Sequence, residues 1–272
     1  MPDYAVGREE VLEALQGALE PLPYMQAMWE AGAVSFGRVD EWSDIDLQVA
    51  CDDERVEEVL EVVEAKLEGL SPIDIRFRLP EPTWHGHSQV FYRLAEASPY
   101  LMVDFVVMKA SAEDKFLQPE IHGRPKVYFD KTGVVHFPDF DSCALAESLR
   151  ARVAELSQLF DLFQVLTLKE LNRGNTIEAA AFYQSYTLRP LIHALRILRD
   201  PTRHNFHTRY VHYDLPEEEV RRLERLSYFA TPEELRAKRE AAEAWFSEIL
   251  RAIGEGPLTE DVERAGARTK GE

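Results

Sequence analysis

Two aspartates, Asp44 and Asp46, stand two residues apart at the start of an apolar run over residues 45–50. Side chains alternate across a β-strand, so both carboxylates are expected on one face, with Cα atoms about 7 Å apart. Such carboxylates repel each other and resist desolvation, and a divalent cation removes that cost. Hard oxygen ligands favour Mg²⁺. The alternative is a solvated strand end, where the aspartates cap a turn after Ser43.

The residues before this pair have the composition of a phosphate-binding turn. Gly32 and Gly37 bracket a segment in which backbone N–H groups can approach a triphosphate closely. Arg38 follows directly and could meet the phosphate charge. The alternative for Arg38 is a surface ion pair with Asp40 or Glu41.

Together these residues resemble the nucleotidyltransferase superfamily related to DNA polymerase beta, most closely its aminoglycoside and lincosamide nucleotidyltransferase branch. The resemblance consists of a Gly-Ser turn followed by Ser-Asp-x-Asp-Leu. The matching positions in this sequence are Gly32, Gly37, Ser43, Asp44, Asp46 and Leu47. The family's serine after the first glycine is Ala33 here, and Ser35 is the residue that could supply the hydroxyl instead.

The resemblance covers roughly residues 1–110 and implies a Mg²⁺-dependent enzyme that uses a nucleoside triphosphate, ATP being expected. It implies a third metal carboxylate on a later strand of the same sheet. Asp104, a lone charge within the apolar residues 101–108, fits that description, and Asp74 is the competing candidate. We prefer Asp104 because Arg76 shares a strand face with Asp74 and offers it a structural partner.

The resemblance thus assigns a role to each candidate residue. The expected catalytic and metal-binding residues are Asp44, Asp46 and Asp104. The expected nucleotide contacts are Gly32, Ser35, Gly37, Arg38 and Ser43.

Composition places limits on the class of protein. The 272 residues are 45% hydrophobic and 29% charged, as in an ordinary globular chain. A net charge of −18 argues against general nucleic-acid binding and suits a cationic acceptor. Cys51 and Cys143 are the only cysteines, which excludes a disulfide framework. No signal peptide or membrane span is visible, so a cytoplasmic location is expected.

The pattern of apolar spacing changes near residue 140. We expect a nucleotidyltransferase catalytic domain over residues 1–140, a helical substrate-binding domain over 141–253, and a flexible tail over 254–272. The expected fold class is α/β (α+β): a mixed sheet of about five strands with helices on one side, followed by a helical bundle, the active site lying in the cleft between. The predicted strands cover residues 24–29, 45–50, 73–78, 89–94 and 101–108, and a hairpin covers 126–129 and 134–137.

Apolar residues at three- and four-residue spacing, together with capping residues, predict the helices. In the first part these are residues 8–19 and 55–67. In the second part they are 153–168, 175–198 with a bend at Pro190, one opening at Asp214, and one opening at Thr231.

Histidine clusters are a further feature. His85 and His87, and the group His204, His207 and His212, lack the spacing of a zinc site. The loop over residues 199–212 either faces the anionic nucleotide or is a plain surface connection.

The resulting hypothesis is transfer of a nucleoside monophosphate to a hydroxyl of a small molecule, such as an aminoglycoside- or lincosamide-like compound. One alternative is a catalytically silent nucleotide-binding or interaction protein, which Ala33 supports. Another is transfer of a nucleotide to a protein, which is disfavoured because such enzymes are shorter chains. Neither a membrane nor general nucleic acid is an expected partner.

Overall fold

The computed structural model describes residues 4–268. The chain divides into two compact units, the first ending at Asp139 and the second beginning at Phe140. Within the described residues, no helix is both long and apolar enough to cross a membrane.

The first unit is built on a mixed β-sheet, which confirms the expected α/β class. The strands are β1 Met25–Glu30, β2 Ile45–Cys51, β3 Ile73–Arg78, β4 Ser88–Leu94, β5 Met102–Lys109 and β6 Lys126–Asp130. Their order across the sheet is β3-β4-β5-β2-β1-β6. β2 and β5 run parallel, and the other neighbouring pairs are antiparallel. The described sheet therefore has one strand more than expected.

Helices α1 (Arg8–Leu19) and α2 (Val56–Glu68) pack on one face of this sheet. Along β2, the side chains of Ile45, Leu47 and Val49 are fully buried in that core. Each such burial stabilises the fold by about 1.5–3 kcal/mol. Alternate residues of β2 and β5 project from the opposite face, which carries a smaller apolar cluster. The candidate site lies on that opposite face.

The hairpin predicted after β5 is wrong. Its first arm is β6, which joins the sheet beside β1, and residues 134–137 form no strand. The carboxylate of Asp130 accepts hydrogen bonds from the N–H groups of Gly133, Val134 and Val135 at 2.9, 3.1 and 3.1 Å. A side chain, rather than a second strand, therefore satisfies the backbone of this turn.

The second unit is helical, as expected. It contains a π-helix over Gln184–Leu188. The α-helices are α4 Ser142–Arg173, α5 Thr176–Tyr183, α6 Arg189–Arg199, α7 Val211–Asp214, α8 Glu217–Ser227, α9 Pro232–Glu255 and α10 Leu258–Arg268, and α3 Pro119–His122 belongs to the first unit.

Capping explains two of the helix starts. α4 begins at Ser142 rather than near residue 153, because the Asp141 side chain accepts a hydrogen bond from the Ala144 N–H at 2.9 Å. The predicted cap at Thr231 is confirmed, since its hydroxyl accepts from the Glu234 N–H at 3.2 Å. Asp214 was the wrong cap: it ends α7, and the N-cap of α8 is Pro216.

The helix predicted over residues 175–198 is interrupted rather than simply bent. The π-helix precedes Pro190, so the irregularity comes before the proline that was expected to cause it. The flexible tail predicted over residues 254–272 is also wrong over Leu258–Arg268, which forms α10. Leu258 and Val262 lie one helical turn apart and are buried, which gives this short helix an apolar face. Residues 269–272 lie outside the described residues.

Candidate active site

Asp46 and Asp104 lie directly beside each other in the sheet. In the parallel register between β2 and β5, Asp46 pairs with Asp104, and residues paired in this way have Cα atoms about 4.8 Å apart. Both residues are partly buried and alternate with core residues, so their carboxylates project from the face opposite α1 and α2. The sheet therefore places two acidic oxygen donors at one point.

Asp44 precedes β2, and its backbone is held in place by Arg8, a half-buried arginine that pairs with a buried carboxylate. The guanidinium of Arg8 donates to the Asp44 carbonyl oxygen and also pairs with the carboxylate of Glu30, which is 1% exposed. The Tyr128 hydroxyl donates to the other Glu30 oxygen at 2.7 Å. Burial, together with this carboxylate, raises the pKa of Tyr128, so the phenol remains a neutral donor. Arg8 thus anchors the start of β2, a role that the sequence did not reveal.

Replacing Arg8 with methionine should destabilise the first unit by about 3–5 kcal/mol, because it leaves the buried Glu30 carboxylate without its cationic partner. Urea unfolding measures this loss. Arg55→Met is the matched control, since Arg55 and Glu58 form an exposed pair whose removal costs about 0–1 kcal/mol. Equal losses in the two variants would contradict the anchoring role of Arg8.

Gly32 is in direct contact with the Asp46 carboxylate. It has φ +61° and opens a 3-10 helix over Gly32–Phe36. A Cβ atom at this position would lie 1.6 Å from the Asp46 Oδ2 atom. The neighbouring Ala31 N–H donates to the Asp46 carbonyl oxygen at 2.9 Å. The absence of a side chain at Gly32 therefore lets the turn approach the acidic pair closely.

Gly37 meets a different need. It ends the same 3-10 helix with φ +63°, and its N–H donates to the Val34 carbonyl oxygen at 3.1 Å. Nothing lies within 4 Å of a Cβ atom built on it. The second glycine of the motif is thus required by backbone conformation alone.

These two glycines form a matched pair for mutation. Gly37→Ala should cost about 1–2 kcal/mol of stability through its positive φ and should leave catalysis largely intact. Gly32→Ala has the same backbone strain and also displaces the Asp46 carboxylate, so we expect activity to fall by about a hundredfold. Steady-state kinetics beside thermal melting separate the two effects. Equal activity of the two variants would exclude a role for the close contact.

The hydroxyl of Ser35, in the middle of this turn, is unsatisfied within the described residues. Its Oγ atom is buried and has no hydrogen-bond partner among residues 4–268. Its carbonyl oxygen accepts from the Arg124 N–H at 3.0 Å, and a Cβ atom on Gly123 would lie 2.4 Å from the same oxygen. The turn over Gly32–Phe36 therefore packs against Gly123 and Arg124, directly after α3. A buried hydroxyl without a partner is costly and is satisfied when a polar ligand binds.

The other predicted phosphate contacts are engaged within the protein. The Arg38 N–H donates to the Ala33 carbonyl oxygen at 2.9 Å, and its guanidinium lies 5.3 Å from the centre of the Phe36 ring. The Ser43 hydroxyl donates to Asp40 Oδ1 at 2.8 Å and accepts from the Asp40 N–H at 2.9 Å. Ser43 closes a turn that leads into β2.

Gln89, which the sequence did not single out, orients Asp104 together with His85. Gln89 Nε2 donates to Asp104 Oδ1 at 2.6 Å, and Gln89 Oε1 lies 3.0 Å from His85 Nε2. The His87 N–H points at His85 Nδ1 at 3.2 Å, so the proton of the neutral His85 ring belongs on Nε2, where it is donated to Gln89. A chain of hydrogen bonds from His85 thus fixes the Asp104 carboxylate.

Asp74 lies elsewhere in the sheet. It is on the edge strand β3, which β4 and β5 separate from β2. Its carboxylate pairs with Arg93 and not with Arg76, as had been expected; Arg76 pairs with Glu64 at 2.6 Å. Asp74 thus has an arginine partner, as expected, but the partner is Arg93 and not Arg76.

The structure does not assemble the predicted set of three carboxylates. Within residues 4–268, no three side chains of His, Cys, Asp or Glu come together as a metal cluster. Asp46 and Asp104 nevertheless fit a Mg²⁺ ion that takes further oxygen ligands from substrate phosphates, because both are hard oxygen donors that project from the same face of the sheet.

The sequence matches no family model, and a comparison with curated proteins finds no match. Two solved structures are similar. An aminoglycoside 6-adenyltransferase from Bacillus subtilis has a TM-score of 0.39 and 13% identity, over 98% of this chain and 100% of that one. A spectinomycin adenyltransferase from Enterococcus faecialis, solved with ATP and spectinomycin, has a TM-score of 0.35 and 12% identity, over 97% and 100%. Both of those proteins are adenyltransferases. Likeness at these values assigns no site residue or substrate to this chain.

Proposed function

We propose that the protein is a Mg²⁺-dependent nucleotidyltransferase that transfers AMP from ATP to a hydroxyl group of a small molecule. The observation that carries the proposal is the pairing of Asp46 with Asp104 on parallel strands, with the backbone of Gly32 against the Asp46 carboxylate. Two adjacent acidic side chains under a glycine turn form a site for a metal-bound triphosphate.

In the proposed reaction, the acceptor hydroxyl oxygen attacks the α-phosphorus of ATP. The new bond joins that oxygen to phosphorus, the bond to the pyrophosphate oxygen breaks in line, and the hydroxyl proton is released. Mg²⁺ held by Asp46 and Asp104 would lower the pKa of the hydroxyl and offset the phosphate charge. The turn beginning at Gly32 would bind the phosphates through backbone N–H groups, with the Ser35 hydroxyl as an additional donor.

The acceptor that suits this chain is a cationic, hydroxylated small molecule, such as an aminoglycoside-like compound. The chain has 49 acidic against 31 basic residues, and a field of that sign attracts cations and repels polyanions. This charge also disfavours nucleic acid as the acceptor.

A second candidate function is a catalytically silent protein that binds a nucleotide without turnover. Two observations favour it: Ala33 replaces the serine of the family motif, and the described residues lack an assembled cluster of three metal-binding side chains. Release of pyrophosphate separates the two candidates, because only the enzyme produces it.

The hydroxyl of Ser35 provides a test of nucleotide binding. A hydrogen bond to a charged group contributes about 1.5–3 kcal/mol, so Ser35→Ala should weaken ATP binding about 10- to 100-fold, whereas Ala33→Ser should change it little. Titration calorimetry with ATP and Mg²⁺ on the wild type and both variants measures this. The enzyme proposal is wrong if the wild type binds none of the four nucleoside triphosphates.

A further inference from the structure

The helical unit contains a pocket of its own. It lies between α4, the π-helix over Gln184–Leu188, α6 and His207, and it has a volume of about 270 Å³. Its walls combine apolar side chains with cationic ones, including Leu156, Leu159, Phe163, Arg152 and Arg189. The volume is near the lower end for small-molecule sites.

Two arginines supply the positive charge of this pocket. Arg189 lies 3.3 Å from His207 Nε2, and among residues 4–268 no carboxylate is within ion-pair distance of it. Arg152 lies 3.5 Å from His193 Nδ1 through one nitrogen, while the other pairs with Glu155 at 2.5 Å. Of the two guanidinium groups, that of Arg189 therefore remains without a neutralising partner.

The histidines beside these arginines are neutral. Burial, with neighbouring cations, lowers the pKa of His193 to about 3 and that of His204 to about 4. An arginine only donates, so the ring nitrogen that faces it accepts and the opposite nitrogen carries the proton. His193 Nε2 therefore donates to His204 Nδ1 at 2.9 Å, and His207 carries its proton on Nδ1.

Two local irregularities lie at the pocket. The π-helix places Ser185 and Tyr186 in its wall, and single-turn π-helices are frequent at functional sites. His207 has φ +53°, a strained conformation for a residue with a side chain. Its Nδ1 atom is buried with no hydrogen-bond partner among the described residues. Backbone strain and an unsatisfied buried donor both carry a free-energy cost.

We propose that this pocket binds a small organic anion, a carboxylate or phosphate monoester on an aromatic or aliphatic body. The anionic group would lie at Arg189 and the apolar body against Leu156 and Phe163. This pocket lies wholly in the helical unit, so the proposal does not depend on the nucleotidyltransferase activity. It assigns a ligand of opposite charge to the cationic acceptor proposed above.

Titration calorimetry of the full chain at pH 7.5, without nucleotide or Mg²⁺, tests the proposal. The probes are phenyl phosphate and benzoate. Phenol, which lacks the anionic group, and inorganic phosphate, which lacks the apolar body, are the controls. We expect at least one of the two organic anions to bind with a stoichiometry of one, and the better binder identifies the preferred anionic group. Phenol and inorganic phosphate should each bind about tenfold more weakly or worse.

Variants locate the binding. Arg189→Gln should weaken the anion about 10- to 100-fold. Arg199→Gln should leave it unchanged, because Arg199 is on the same helix but pairs with Glu219 away from the pocket. Ser185→Trp, at an exposed position of the wall, should block the cavity and provides a second test if Arg189→Gln does not fold. Equal binding of phenol and phenyl phosphate, unchanged affinity in Arg189→Gln, or no binding of either anion would overturn the proposal.

Discussion

Asp46→Asn is expected to abolish Mg²⁺-dependent release of pyrophosphate while the protein stays folded. The substitution removes a carboxylate ligand and also relieves the repulsion between Asp46 and Asp104, which are paired across two parallel strands. Thermal stability in the absence of metal should therefore hold or rise. Pyrophosphate assays beside thermal melting of the metal-free protein measure both quantities.

The two readouts for Asp46 must be taken together. A carboxylate that binds metal repels its neighbouring carboxylate when the metal is absent. Its removal should therefore lower activity while stability holds or rises. A structural aspartate behaves in the opposite way, because its removal leaves partners unsatisfied. Loss of folding together with activity in Asp46→Asn would contradict a metal-binding role.

Asp104→Asn should lower turnover by several orders of magnitude, whereas Asp74→Asn should leave it unchanged. The amide at position 104 can still accept the hydrogen bond from Gln89, so the side chain keeps its place and loses only its charge. Asp74 is a matched control, since its pair with Arg93 on the edge of the sheet is exposed and contributes about 0–1 kcal/mol. Steady-state kinetics of both variants decide the assignment. The reverse pattern would move the site to β3.

The sequence predicted the strands of the site well, because alternation of apolar residues directly determines which face of a strand is buried. Ile45 and Leu47 face the core, so Asp46 had to face the other way.

Alternation along one strand does not reveal which residue lies beside Asp46 on the neighbouring strand. The sequence favoured Asp104 over Asp74 only through an expected Arg76 partner for Asp74, and that partner is Arg93 instead. The position of Asp104 beside Asp46 follows from the order and register of the strands, which depend on contacts between residues far apart in sequence.

The anchoring residues of the site could not be predicted for the same reason. Arg8 and Glu30 are 22 positions apart, and each alone has the pattern of an ordinary surface charge. Only the packing of α1 on the sheet brings the guanidinium to the Asp44 carbonyl oxygen. Likewise, Gln89 is an unremarked polar residue until β4 is aligned beside β5.

In the helical unit, short-range sequence patterns predicted that the structure is helical better than they predicted where each helix begins and ends. Thr231 marked its helix start through a side-chain hydrogen bond, a short-range interaction. The π-helix over Gln184–Leu188 and the burial of Val262 have no comparable local signature. Both depend on how neighbouring helices pack.

In the proposed enzyme, Asp46 and Asp104 share one divalent metal beneath the turn at Gly32. Crystals grown with a non-hydrolysable ATP analogue and Mn²⁺, with data collected for anomalous scattering, test it most directly. We expect an anomalous peak within coordination distance of a carboxylate oxygen of both Asp46 and Asp104 and of the phosphates. Bound nucleotide without such a peak between the two aspartates, or a peak at Asp74, would contradict it.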